Sequence, residues 1–232
     1  MHTYDLEGGM DVRNDTGSVE FPDIRCLLVA QRGTLCIKRI FDTTVSALSL
    51  PVLSVFFLII ALIIKIDSKG PVFYRQTRVG RHGKFFRIFK FRTMSADADR
   101  TGQLITVGAD SRITRSGRVL RKTKIDELPQ IINVIKGDMS FVGPRPEVPK
   151  YVELYSESQR QVLLVRPGIT DTASIMYKNE SDILALSDDP EKTYIEEIMP
   201  FKLNINLEYI SKISVANDIR IVFLTLLRVL KK

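Results

Sequence analysis

The 232-residue chain contains no tryptophan, only two cysteines and only two histidines. Cys26 and Cys36 are too few for a disulfide scaffold or a cysteine-rich zinc site. His2 and His82 have no third companion, which excludes a histidine-built zinc centre. Neither GxxxxGK[ST] nor GxGxxG occurs, so the familiar nucleotide-binding folds are excluded as well. Internal repeats and low-complexity tracts are also missing. What remains is 44% apolar and 26% charged residues, enough to build a core and too apolar for global disorder. A mean hydropathy of +0.02 is high for that charge content, so the apolar residues must be unevenly placed.

The charge is uneven too. Residues 1–64 carry 5 basic against 7 acidic side chains, residues 65–124 carry 16 against 4, and residues 125–232 carry 13 against 16. The whole excess of +7 therefore comes from one block near the middle. Such a block attracts phosphate-bearing partners: nucleotides, nucleic acid or anionic lipid heads.

Residues 43–64 are 22 residues without a charge. As a helix they extend roughly 33 Å, about the hydrocarbon thickness of a bilayer. The preceding polar stretch and the length of the run argue against a cleaved signal peptide. Arg32, Lys38 and Arg39 flank its start, and Lys65, Lys69, Arg75, Arg78 and Arg81 follow its end. The positive-inside rule puts both flanks in the cytoplasm, which a single crossing cannot do. Pro51 removes the bond to the Ala47 carbonyl and predicts a bend, with Ser46, Ser49 and Ser54 placed to recover freed groups. The expectation is a re-entrant helix over residues 36–66; an ordinary kinked transmembrane helix is the alternative.

The fold expected around it is α+β. Residues 1–35 read as a loose leader, and residues 67–232 as a small mixed domain with a β-hairpin and amphipathic interfacial helices. Residues 72–76 and 84–94 read as two strands about a Gly-bounded turn, with Phe89 and Phe91 on one face and Lys90 and Arg92 on the other. Residues 95–112 read as a mobile polar loop. Helices are predicted over 115–121, over 127–136 with closure at Gly137, over 151–165, and over 191–212 with Pro200 interrupting. The tail, residues 218–232, has a long apolar stripe that suits a membrane interface or a core equally.

The chemistry concentrates in Arg121-Lys122-Thr123-Lys124-Ile125-Asp126-Glu127-Leu128-Pro129-Gln130. Pro129 belongs in a first helical turn, so a helix is predicted to begin near Asp126, with two adjacent carboxylates at its N-terminus beside several cations. Asp126 as a plain helix cap explains this stretch alone. An ionised carboxylate facing a phosphate is the functional reading. Gly143-Pro144-Arg145-Pro146 holds Arg145 between two prolines, and Arg166-Pro167-Gly168 reads as a type II turn with a cation at its start. Rigid arginines with a carboxylate pair suit phosphoryl transfer, where positioning and charge neutralisation dominate.

These elements resemble the monotopic phosphoglycosyl transferases of bacteria, the bacterial sugar transferase family that loads sugar phosphates on polyprenyl phosphate. The resemblance is carried by Lys38-Arg39-Ile40-Phe41-Asp42, Gly70-Pro71-Val72-Phe73, Phe89-Lys90-Phe91-Arg92-Thr93-Met94, the stretch from Arg121 to Gln130, Asn133 through Pro146, and Arg166-Pro167-Gly168-Ile169-Thr170, collinear over residues 36–232. It implies transfer of a sugar-1-phosphate from a UDP-sugar to undecaprenyl phosphate with release of UMP, at the cytoplasmic face of the inner membrane, as the first membrane step of polysaccharide or glycoconjugate synthesis. Asp126 is implied as the nucleophile that carries the phosphosugar, Glu127 as its partner, and both as Mg²⁺ ligands. Lys90, Arg121, Arg145 and Arg166 are implied as substrate contacts. The implied partners are the UDP-sugar, polyprenyl phosphate and the lipid bilayer, with no nucleic acid; homo-oligomerisation is left open. Two departures stand out: the proline of the membrane helix is at Pro51 rather than in a Ser-Pro pair near Ser54-Val55, and Asp171 replaces a glycine, expected here as a subfamily marker near the sugar pocket. The competing readings are a membrane-tethered basic module that binds anionic lipid or nucleic acid, and a non-catalytic partner in a glycan-assembly complex.

Overall fold

The computed structural model describes residues 23–95, 97–98, 105–108, 110–177 and 180–230. Residues 1–22 of the expected leader, and residues 96, 99–104 and 109 of the expected mobile loop, lie outside the described residues. The leader reading fails from Asp23 onward. Asp23 caps helix α1 (Ile24–Ala30) by accepting from the Arg25 N–H, and Ile24 is fully buried. Ile24 and Leu28 pack against the main core, an i, i+4 apolar pair too short to register as a period.

Helix α2 (Arg32–Asp67) runs unbroken through Pro51. Ser49 and Ser54 donate to the carbonyls of Val45 and Pro51 rather than to that of Ala47, and the Ser46 hydroxyl has no partner among the described residues. One stripe of α2 faces the rest of the protein: Arg39, Asp42 and Ser46, then Leu50, Leu53, Phe57, Ile60 and Ile64. This spacing of three and four keeps one helical face inward. The opposite face leaves Leu48, Val52, Val55, Leu58 and Leu62 all more than half exposed.

Both ends of α2 are fastened to the same body. Near the first, Arg39 donates to the Val134 and Ile135 carbonyls, Asp42 accepts from the Ser140 hydroxyl at 2.6 Å, and Lys38 pairs with Asp218. At the second, Asp67 accepts from the Ser116 N–H and hydroxyl, and Arg92 donates to the Ser68 and Pro71 carbonyls.

Strands β1 (Phe73–Val79) and β2 (Phe85–Phe91) pair antiparallel, Phe73 opposite Phe91 and Val79 opposite Phe85. The turn uses positive φ at His82 and Gly83. Phe91 packs edge-on to Phe57 and stacks on Phe73, so the aromatic face of the hairpin meets the apolar stripe of α2. Pairing ends before residue 94 because Arg92 is drawn down to the end of α2 and Met94 bridges Ile113 instead.

Helix α3 (Arg115–Lys122), capped by Thr114, lies against Thr93: a Cβ on Gly117 would stand 2.0 Å from the Thr93 carbonyl oxygen. A 3₁₀ turn over Ile125–Gln130 leads into α4 (Ile131–Lys136), which Gly137 closes at φ +91°. Two short strands that the sequence reading missed, β3 (Ser140–Val142) and β4 (Gly168–Thr170), pair in parallel. Gly168 has no positive φ, so the expected type II turn is not formed there. Glycine is needed because the chain crosses Gly143, whose N a Cβ on Gly168 would meet at 2.2 Å.

The helix expected over 151–165 is only α5 (Pro149–Val152), followed by a 3₁₀ turn over Gln159–Leu164. Ser156 ends it by exchanging bonds with Gln159, the side-chain competition that favours caps over helix interiors. Past β4 come α6 (Thr172–Met176) and α7 (Glu180–Ala185). The predicted 191–212 helix is continuous but heterogeneous: α8 (Pro190–Thr193), a π turn over Tyr194–Ile198, and α9 (Met199–Ser211). Pro200 sits harmlessly in the first turn of α9. The last helix is α10 (Val215–Leu230). The main core joins Val142, Tyr151, Val162, Leu207 and Ile210, and Ile221 anchors α10 to it while Phe223 and Leu226 stay exposed.

Candidate active site

The carboxylate pair lies in an open cleft of about 1220 Å³ between the hairpin, α3, the 3₁₀ turn, the Pro144–Pro146 loop and α10. Lys124 precedes the turn in the left-handed conformation, φ +58°. That strained entry, uncommon for a residue with a side chain, sets where the next two carboxylates project. Asp126 is therefore not the helix cap: Lys124 takes that position, and no side chain caps the turn.

Glu127 is the hub of the site. Arg145 grips it with two prongs, one of them Nη1 to Oε2 at 3.2 Å, and Lys90 Nζ donates to Oε1 at 2.9 Å. Burial works to raise the Glu127 carboxyl, but Arg145 and Lys90 override it and hold it well below the ordinary range. The Glu127 charge in turn raises the Arg145 guanidinium further, while burial lowers the Lys90 ammonium. Asp126 is different. It is 7% exposed, and its Oδ1 has no hydrogen-bond partner among the described residues. Burial and then the Glu127 charge push its carboxyl above the ordinary range, against Lys90, Lys124 and Arg121. The cations expected to favour the ionised Asp126 do act on it, but burial and the Glu127 charge outweigh them.

Other elements hold these groups in place. Arg121 donates to the Thr93 and Thr106 hydroxyls at 2.8 and 3.3 Å and lines the cleft. Asn133, fully buried, accepts from the Phe89 N–H and donates to the Arg87 carbonyl, both at 2.9 Å. Its amide thereby ties α4 to the strand that carries Lys90, a role nothing in its sequence neighbourhood signals. Arg145 is set by the parallel strands: the Gly168 N–H donates to the Pro144 carbonyl at 3.0 Å.

Two expected cleft residues are elsewhere. Arg166 is not among the cleft-lining residues; its Nε donates to the Gly137 carbonyl at 2.9 Å, at the C-terminal end of α4 beside Arg39. Asp171 is buried and caps α6, accepting from the Ser174 N–H and hydroxyl, so its carboxylate is engaged by that helix and is not among the cleft-lining residues. Among the described residues no three His, Cys, Asp or Glu side chains gather as a metal cage. The unpartnered Asp126 Oδ1 still fits Mg²⁺, which takes one or two carboxylates and completes its shell with waters and phosphates.

The profile of the family described as bacterial sugar transferase matches residues 33–232. An uncharacterized sugar transferase, EpsL of Bacillus subtilis (strain 168), is 43% identical over 145 residues, covering 62% of this chain and 71% of that protein. The UDP-N-acetylgalactosamine-undecaprenyl-phosphate N-acetylgalactosaminephosphotransferase of Aeromonas hydrophila is 36% identical over 197 residues, 84% of this chain and 44% of that protein. The UDP-glucose:undecaprenyl-phosphate glucose-1-phosphate transferase of Escherichia coli (strain K12) is 39% identical over 196 residues, 83% of this chain and 40% of that protein. The chain therefore spans less than half the length of the latter two relatives. It belongs to the bacterial sugar transferase family.

Proposed function

We propose that this bacterial sugar transferase moves a sugar-1-phosphate from a UDP-sugar to polyprenyl phosphate, releasing UMP, by way of a phosphosugar carried on Asp126. The observation that carries the reading is the unpartnered, buried Asp126 Oδ1 in a cation-lined cleft. A buried carboxylate oxygen without a donor is costly to the fold and is free to bond to phosphorus. In the first step that oxygen attacks the sugar-side phosphorus, and the bond to the UMP oxygen breaks. In the second, a phosphate oxygen of polyprenyl phosphate attacks the same phosphorus and frees the carboxylate. Arg145, Lys90 and Arg121 neutralise phosphate charge, the first two already aligned by Glu127. Asp126, with Glu127 beside it, would hold Mg²⁺, which would supply further neutralisation of phosphate charge; Glu127, with both oxygens accepting, would contribute charge more than an open ligand position. A lipid-binding or nucleic-acid-binding module accounts for the basic block but not for that oxygen.

The membrane reading rests on α2. Only 11% of its most apolar 18-residue window is buried, and both of its ends bond to the same domain. A helix that entered one face of a bilayer and left by the other could not do the latter, so the re-entrant form and a cytoplasmic-face domain are preferred. With the two natural cysteines replaced, cysteines introduced at Gly33 and Lys69 should both be labelled from the cytoplasmic side alone; periplasmic labelling at residue 33 would show a true crossing.

The chemistry is tested without acceptor. Full-length enzyme mixed with its UDP-sugar should release at most one UMP per site and stall, with the phosphosugar mapped by mass spectrometry to Asp126. Asp126→Asn should form no adduct. An adduct on another residue, or near-parental turnover by the variant, sinks the assignment.

A further inference from the structure

A second stretch of the cleft lining is built from elements that hold no part of the carboxylate pair. Tyr194, the first residue of the π turn, donates its hydroxyl to Glu147 Oε2 at 2.5 Å, and Arg78 Nη1 donates to Glu147 Oε1 at 3.0 Å. Lys202 of α9 donates to Glu180 Oε2 of α7 at 2.7 Å and lies 5.7 Å over the Tyr194 ring. All five side chains line the cleft. The Glu180 charge is also near enough to act on Arg145, so this wall adjoins the phosphate-gripping residues.

Its chemistry differs from theirs. Each charge has an opposite partner, and donors alternate with acceptors, so the wall offers hydrogen bonds without net attraction for a phosphate. Two carboxylates, Glu147 and Glu180, oppose any second anion there. Stacking of a nucleobase is blocked too: Tyr151 stands 5.1 Å from the Tyr194 ring and Lys202 lies over it, leaving Tyr194 5% exposed. Burial and then Glu147 hold the Tyr194 phenol in its protonated, donating form. The π turn is an independent pointer, since such single-turn insertions recur at functional sites by re-aiming the side chains around them.

We propose that Glu147, Tyr194, Lys202 and Glu180 hold the sugar ring of the donor and select a neutral hexose over an acidic one. The inference rests on the transferase reading above and deepens it: Lys202 donates to a ring oxygen, Glu147 and Glu180 accept from ring hydroxyls, the Tyr194 hydroxyl holds Glu147 in place, and a uronic acid meets the two carboxylates.

The test uses the full chain in nanodiscs with polyprenyl phosphate and Mg²⁺, reading UMP release from UDP-glucose and UDP-glucuronate, with UDP as a competing inhibitor that lacks the sugar. The parent enzyme should prefer UDP-glucose at least tenfold in kcat/KM. Glu180→Gln, which keeps shape and drops one charge, should raise the glucuronate-to-glucose ratio about tenfold. Lys202→Gln should lower kcat/KM for UDP-glucose about tenfold, and both variants should leave UDP inhibition within about twofold of the parent. Tyr194→Phe keeps the ring and should lower UDP-glucose turnover with UDP inhibition unchanged, which guards against misfolding of the charge variants. Equal use of both donors by the parent, an unmoved ratio in Glu180→Gln, or UDP inhibition that shifts in step with donor turnover would each overturn the assignment of this wall. Absence of UMP release from every UDP-sugar would instead overturn the transferase reading, and this inference with it.

Discussion

The helical stretch from Ile125 to Lys136 has two ends that use the same residue types to opposite effect. At its C-terminal end, Arg39 and Arg166 donate to the carbonyls of Val134, Ile135 and Gly137, where the helix leaves partial negative charge. At its N-terminal end, Arg145 and Lys90 bond Glu127, while beside it one oxygen of Asp126 has no donor among the described residues. Arg145 and Arg166 both adjoin prolines and both look, in sequence, like rigid anion grips. Their fates differ because one anion is the protein's own backbone and the other has to arrive. An arginine whose partner is a carbonyl builds the fold; a charge cluster left incomplete is where chemistry enters.

That contrast can be broken from either side. The largest effect is expected from Arg145→Lys, which keeps the charge but loses the fork on Glu127. Turnover should fall about 10²–10³-fold, the cost of removing one aligned donor, with the melting temperature little changed; an unaltered rate would make Arg145 a loop residue. Arg166→Gln should do the reverse. Its loss should cost about 0.3–1 kcal/mol of stability, the usual worth of a cation at a helix C-terminus, read by thermal melting, and leave turnover within about twofold. A collapse of turnover at unchanged stability would return Arg166 to the cleft. The smallest effect concerns Asp126 itself. Its carboxyl is raised above the ordinary value of 3.8, so the folded state holds that proton more tightly than the unfolded chain does. The ionised form therefore costs stability at neutral pH, and the cost fades as pH falls toward 3.8. Asp126→Asn should melt higher than the parent at pH 7, with the gap closing in acid; a lower melting point at pH 7 would mean that the carboxylate is paired after all.

Lys90, Arg121, Asp126, Glu127 and Arg145 do line one cleft, and the hairpin alternation around Lys90 survives, although the turn before Asp126 is not the cap its sequence suggested. Arg166 and Asp171 lie outside that lining. A proline turn or a cap residue has the same appearance whether its anion or donor is a substrate or a neighbouring backbone group. Pairings between distant segments left no local trace: the three-residue strands β3 and β4, the Asn133 clamp on β2, and the Glu147–Tyr194 bond. The inward stripe of α2 was hidden as well, since Asp42 and Ser46 precede or interrupt the uncharged run without giving it a polar face. The break in the 151–165 helix came from side-chain capping, and the π turn lies inside a continuous 191–212 helix; neither alters apolar periodicity enough to be seen.

The fastening of α2 also sets an order of events during synthesis. Lys38 meets Asp218, a partner 180 residues later in the chain. At about 5–20 residues per second, a ribosome takes roughly 10–40 s to supply it. For that interval the apolar helix is finished while its mate is still unmade. Until then the Lys38 ammonium has no carboxylate to meet and the apolar face of the helix has only the chain already made to pack on. The nascent chain thus closes this end of its fold last.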